Sequence, residues 1–142
     1  MTTQTLSTEK TLNEQTTSPK QTWAGRIVSG LVVLFMVMDG TMKLFKPAVV
    51  LEANARLGYP ESTLVGIGVT LLACTALYVI PRTSTFGAIL LTGYLGGAVA
   101  SNVRAAEVLF NTLFPVMIGV LVWGGLWLRD SRLRNLVPLT KD

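Results

Sequence analysis

Four long apolar runs follow one another along the chain, at residues 25–45, 62–80, 84–103 and 110–128, with short polar or proline-containing breaks between them. Each is about 19–21 residues long, and at ~1.5 Å rise per residue a helix of that length crosses the ~30 Å hydrocarbon core of a bilayer. A soluble helix this long would carry a polar stripe. The second and fourth runs hold no ionisable residue other than tyrosine or cysteine. The pattern predicts an all-α, integral membrane four-helix bundle occupying residues 23–130.

The breaks fit that reading. Pro81-Arg82 separates the second and third spans, Gly58-Tyr59-Pro60-Glu61 precedes the second, and residues 105–109 join the third and fourth. Glu61 suits the positive end of the helix it precedes. Residues 47–57 predict a short amphipathic helix between spans one and two. Pro47 fits its first turn, Glu52 and Arg56 stand at i,i+4, and Gly58 suits its C-terminal cap. Such a helix lies at the membrane interface or folds over the mouth of the bundle.

The tails differ from the spans. Residues 1–22 carry eight threonines and no apolar period, and a segment that buries so little is expected to be a disordered tail. Residues 131–142 form a basic tail. Over the whole chain, 50% of residues are hydrophobic and 14% charged, against roughly 25% charged in a soluble domain. Mean hydropathy is +0.52 and the net charge +4. No dense basic run tracks phosphates, so no nucleic-acid partner is expected.

Lysine and arginine set the orientation. Lys10, Lys20, Arg26, Arg82, Arg129, Arg132, Arg134 and Lys141 fall on one side, and Lys43, Lys46, Arg56 and Arg104 on the other. The positive-inside rule predicts cytoplasmic N- and C-termini. Trp23, Tyr78 and Trp127 then predict an aromatic belt on the cytoplasmic side.

Two counts narrow the chemistry. There is no histidine, which excludes imidazole acid–base catalysis and histidine-held metal or haem. Cys74 is the one cysteine, so neither an internal disulfide relay nor a cysteine metal site forms. Neither a metal nor a covalent cofactor is expected.

Asp39 is the most informative position. A carboxylate near the centre of a membrane helix costs ~2.5–3.5 kcal/mol on insertion scales, so something offsets it. Lys43 follows at i+4, in the favourable order. Two readings stand: an ion pair that snorkels outward, or a polar site within the bundle. Tyr94, Ser101, Asn102 and Arg104 on the third span lie toward the same side as Asp39 and Lys43 and are expected to converge with them on one polar cavity. Gly93 and Gly97 stand at GxxxG spacing and Gly96 extends a second row of small residues. These glycines predict close helix packing.

Several of these stretches resemble the DoxX-like family of small bacterial inner-membrane proteins: the Asp39–Lys43 step, Leu57-Gly58-Tyr59-Pro60, the Tyr78…Pro81 end of the second span, Gly93-Tyr94-Leu95-Gly96-Gly97-Ala98, and Trp123-Gly124-Gly125-Leu126…Leu128-Arg129-Asp130. The resemblance covers roughly residues 25–138. It implies a multi-pass protein of the bacterial inner membrane. The family takes its name from a membrane subunit of a thiosulfate:quinone oxidoreductase, so it also implies a quinone or another lipophilic ligand and a redox partner protein. The expected role is that of an accessory, ligand-holding subunit, not catalytic alone. The alternatives are an assembly protein, such as a homo-oligomer, packing through the glycines of span three, and a small transporter.

Overall fold

The computed structural model describes residues 18–136 together with Thr3 and Gln4. Helix α1 runs Pro19–Phe45, α2 Ala48–Arg56, α3 Glu61–Val79, α4 Ser84–Arg104, α5 Leu109–Arg129 and α6 Ser131–Leu136. No strand occurs among the described residues. Helices α1, α3, α4 and α5 are each long and apolar enough to cross a membrane.

Local chemistry sets the ends. Pro19 opens α1, where its missing N–H costs nothing. The helix therefore starts ahead of residue 25, and Pro19–Thr22 belong to it rather than to a tail. Most of the predicted tail at 1–22 lies outside the described residues. At 27 residues α1 is about 40 Å long, so its first turns project beyond the apolar core. It stops at Lys46, which takes the left-handed conformation (φ 51°) and donates its N–H to the Met42 carbonyl at 3.0 Å. Pro47 then starts a new direction and α2 follows. Gly58 (φ +80°) turns the chain into Pro60 and α3. In the expected basic tail at 131–142, Ser131–Leu136 is helical and the rest lies outside the described residues.

The four long helices form a ring. The main contacts are α1 with α3 and α5, and α4 with α3 and α5, which leaves α1 and α4 diagonal to each other. Val32, Met36, Leu71, Cys74, Tyr78, Ala88, Leu91, Val122 and Leu126 fill the centre. The outer surface is apolar too. Trp23, Ile27, Leu31 and Leu34 on α1 are all more than half exposed. In water that stripe would be an aggregation face, and in a bilayer it meets acyl chains. The chain is a multi-pass membrane protein of four spans.

One end of the ring holds the start of α1, the α3–α4 turn, the end of α5 and α6; the other holds the α1–α2–α3 connection and the α4–α5 loop. At the first, Tyr78 is fully buried. Its hydroxyl donates to the Val122 carbonyl (2.8 Å) and therefore accepts from Ser29 Oγ (3.1 Å). The Arg129 guanidinium stacks 4.7 Å from the Tyr78 ring centre and donates to the Tyr78 carbonyl at 2.8 Å. Close backbone approach makes this possible. A Cβ on Gly125 would lie 2.6 Å from Ser29 Oγ, and one on Gly87 would collide with the backbone of Tyr78. Tyr78 is thus not a lipid-facing belt residue: the backbone contact at Gly87 draws it inward.

Candidate functional site

The opposite end is not closed in this way. A cavity of about 530 Å³ opens there between α1, α4 and α5, with α2 as its roof. That volume falls in the range of small-molecule pockets, ~300–1,000 Å³. The roof is the short helix expected over the bundle mouth, with Val49, Val50, Ala53 and Asn54 turned to the cavity. It packs mainly on α3 and is joined to the rest at two left-handed positions, Lys46 and Gly58. The inner wall is apolar, with Phe35 and Phe114 edge to face at 5.4 Å between ring centres.

Polar groups reach this space from three elements. On α1, Asp39 and Lys43 both line it, and Lys43 Nζ donates to Asp39 Oδ2 at 2.5 Å. The helix itself brings them together, because i and i+4 share a face. The second Asp39 oxygen takes no hydrogen bond from the described residues. Together the pair carries no net charge but still offers both a donor and an acceptor.

On α4, Tyr94 stands ten residues from either end, about 15 Å deep. The cavity therefore reaches the middle of the membrane-spanning region. The Tyr94 ring is half buried and lines the cavity, and its hydroxyl has no hydrogen-bond partner among the described residues. Tyrosine hydroxyls removed from water ordinarily find one. Ser101 and Asn102 line the same space nearer its mouth. Ser101 Oγ donates to the Gly97 carbonyl (2.8 Å) and accepts from the Tyr59 hydroxyl (2.6 Å). That contact fastens the Gly58–Pro60 turn to α4.

Asn102 has a structural duty. Pro115 on α5 lacks an N–H, so the Asn111 carbonyl four residues earlier has no helical donor. Asn102 Nδ2 donates to that carbonyl at 2.9 Å. Inside a membrane an unmet carbonyl costs several kcal/mol, and a neighbouring helix supplies the missing partner here.

Of the six residues expected to converge, Asp39, Lys43, Tyr94, Ser101 and Asn102 line one cavity. Arg104 is not among the residues lining the cavity. Its Nη2 donates to the Leu57 carbonyl at 3.0 Å and holds the turn that follows the roof. The packing expected at Gly93, Gly96 and Gly97 does not occur among the described residues, since none of them comes within 4 Å of a Cβ built on any of these glycines. Gly93 and Gly97 instead form bare cavity wall. The glycines that do bring helices close are Gly25, Gly40, Gly68, Gly87 and Gly125.

Sequence reasoning missed Tyr59 and Asn54. Tyr59 was visible only as part of a turn motif. Asn54 is a buried polar residue on the inner face of α2, donating to the Val50 carbonyl at 2.8 Å. Its signal was one asparagine on the apolar side of an otherwise amphipathic helix. No cluster of acidic, cysteine or histidine side chains suited to a metal occurs among the described residues.

A family model described as the DoxX-like family matches residues 27–125, which covers the roof helix, α3, α4 and most of α1 and α5. No curated protein and no solved structure matches the chain. The chain belongs to the DoxX-like family.

Proposed function

We propose that this DoxX-like protein holds the polar head of a lipophilic small molecule in the cavity beneath α2, as an accessory subunit to a redox partner in the bacterial inner membrane. The observation that carries this reading is the Tyr94 hydroxyl, without a hydrogen-bond partner among the described residues, at membrane mid-depth and facing a cavity that also holds Asp39 and Lys43. The ion pair is neutral overall, which favours a neutral head with hydrogen-bonding oxygens over an ion. A quinone is of this kind: bound, it supplies two carbonyl acceptors and a redox couple. Tyr94 and Lys43 donate, and the free Asp39 oxygen accepts from a hydroxyl. The resemblance of the glycine-rich third span and its neighbours to the family supports the redox setting.

Cytoplasmic termini follow from the lysine and arginine distribution. The cavity then opens toward the outer face. The chain performs no chemistry alone in this reading: it positions the head and lets the roof exclude water.

The test is binding of a tailless benzoquinone to the full chain in nanodiscs, beside Tyr94→Phe. Saturable binding, weakened by about tenfold in the variant, is expected from the loss of one hydrogen-bond donor to a quinone carbonyl. Absence of saturable binding in the parental protein would overturn the reading.

A second reading has its own observation. The open face around Gly96, which has no neighbour within 4 Å, suits assembly with another membrane helix. It expects Gly96→Leu to abolish a cross-linked oligomer while Asp39→Asn leaves it intact.

A further inference from the structure

A second space lies outside the ring, along the seam of α4 and α5. It is a groove of about 690 Å³ lined by Leu95, Gly96, Val99, Pro115, Gly119 and Trp123, and it continues to Trp127 and Leu133. Two of its residues, Leu95 and Pro115, also line the cavity beneath α2. Both stand in the wall that the two spaces share.

Their chemistry differs. At the α4–α5 seam the polar side chains of the groove pair with each other: Trp123 Nε1 donates to Thr92 Oγ1 at 2.8 Å, and Thr92 Oγ1 donates to the Ala88 carbonyl at 2.8 Å. The rest of the lining, apart from the Trp127 indole at its far end, is hydrocarbon and bare glycine. The cavity, by contrast, holds the Asp39–Lys43 pair and the Tyr94 hydroxyl, which has no hydrogen-bond partner among the described residues. From Pro115 to Trp127 α5 advances twelve residues, about 18 Å. The groove is thus long. It runs from mid-membrane toward the end of the bundle opposite the roof.

We propose that the groove seats the hydrocarbon tail of the same ligand whose head occupies the cavity, the tail passing between the two at Leu95 and Pro115. This rests on the cavity reading above. It narrows the ligand class to neutral heads carrying one long acyl or isoprenoid chain. It also gives the glycines of the third span a use. Gly96 keeps the groove open where a larger residue would fill it, and Gly93 and Gly97 do the same for the cavity. Leu95 stands between the two spaces and selects for a slender chain at the passage.

The experiment compares two quinones with the same headgroup, one tailless and one with a decyl tail, binding to the full chain in nanodiscs of one lipid composition. Parental protein is run beside Gly96→Leu and Gly124→Leu. A Cβ at either glycine meets nothing within 4 Å, so both variants are expected to fold. The preference for the decyl compound is expected to fall about tenfold in both variants, with binding of the tailless compound unchanged. Unchanged preference in both variants overturns the groove assignment and leaves the cavity reading standing. So does a cross-linked oligomer of the parental chain that either variant abolishes, because a second copy then fills the groove. Failure of the tailless compound to bind the parental protein overturns the cavity reading, and the groove assignment falls with it.

Discussion

The two ends of the bundle use the same kinds of residue in opposite ways. At the closed end a tyrosine, a serine, an arginine and glycines meet: Tyr78 bonds Ser29 and Val122, Arg129 covers its ring, and Gly87 and Gly125 let the backbones touch. On the roofed side Tyr94, Ser101, Arg104, Gly93 and Gly97 occur, with Tyr94 at mid-depth, yet the Tyr94 hydroxyl has no hydrogen-bond partner among the described residues and the glycines face open space. The difference lies in what each glycine faces. A glycine against another helix draws backbones together and the polar side chains are consumed in closing the gap. A glycine on a free face withholds a side chain and leaves room, and the polar groups beside it stay available. The first arrangement stabilises the fold, and the second leaves a site.

The contrast can be broken from the closed end with the largest effect. Gly87→Leu forces a side chain into the Tyr78 backbone, and a loss of about 3 kcal/mol is expected from such overpacking. Reversible unfolding in mixed micelles measures it. At the roofed end Asn102→Leu removes the donor to the Asn111 carbonyl. A loss of about 0.5–1.5 kcal/mol in the same assay is expected for one lost hydrogen bond at the exposed start of α5. Asn102→Gln is expected to do little better, because its amide is displaced by one methylene. The smallest effect sharpens the contrast by its sign. Gly93→Ala meets no neighbour and replaces a poor helix former, so it is expected to leave stability unchanged or raise it by up to about 1 kcal/mol.

The division of labour was only partly legible in the sequence. The spans could be read because uninterrupted apolar length has one physical meaning. The roof helix could be read because Pro47 and Gly58 bracket an i,i+4 charge pair. The Asp39–Lys43 contact needed no tertiary knowledge, since one helix face sets it. The direction of the α4 glycines was not legible. GxxxG spacing says that a face is small, not what opposes it, and here the opposing partner is space. Arg104 misled for a similar reason: its sequence position puts it at the correct end, but its long side chain turns to the Leu57 carbonyl. The pairing of Asn102 with Asn111 needed both the proline at 115 and the register of α4 against α5, and only the first is written in the chain.

The central claim is that Tyr78 serves the fold and Tyr94 serves a ligand. One paired measurement addresses it: Tyr78→Phe and Tyr94→Phe, each assayed for unfolding in micelles and for tailless quinone binding in nanodiscs. The account predicts a crossed result. Tyr78→Phe loses about 1–2 kcal/mol of stability and binds as the parental protein does, while Tyr94→Phe keeps its stability and binds about tenfold more weakly. Parental-level binding by Tyr94→Phe, or a stability loss there equal to that of Tyr78→Phe, would contradict it.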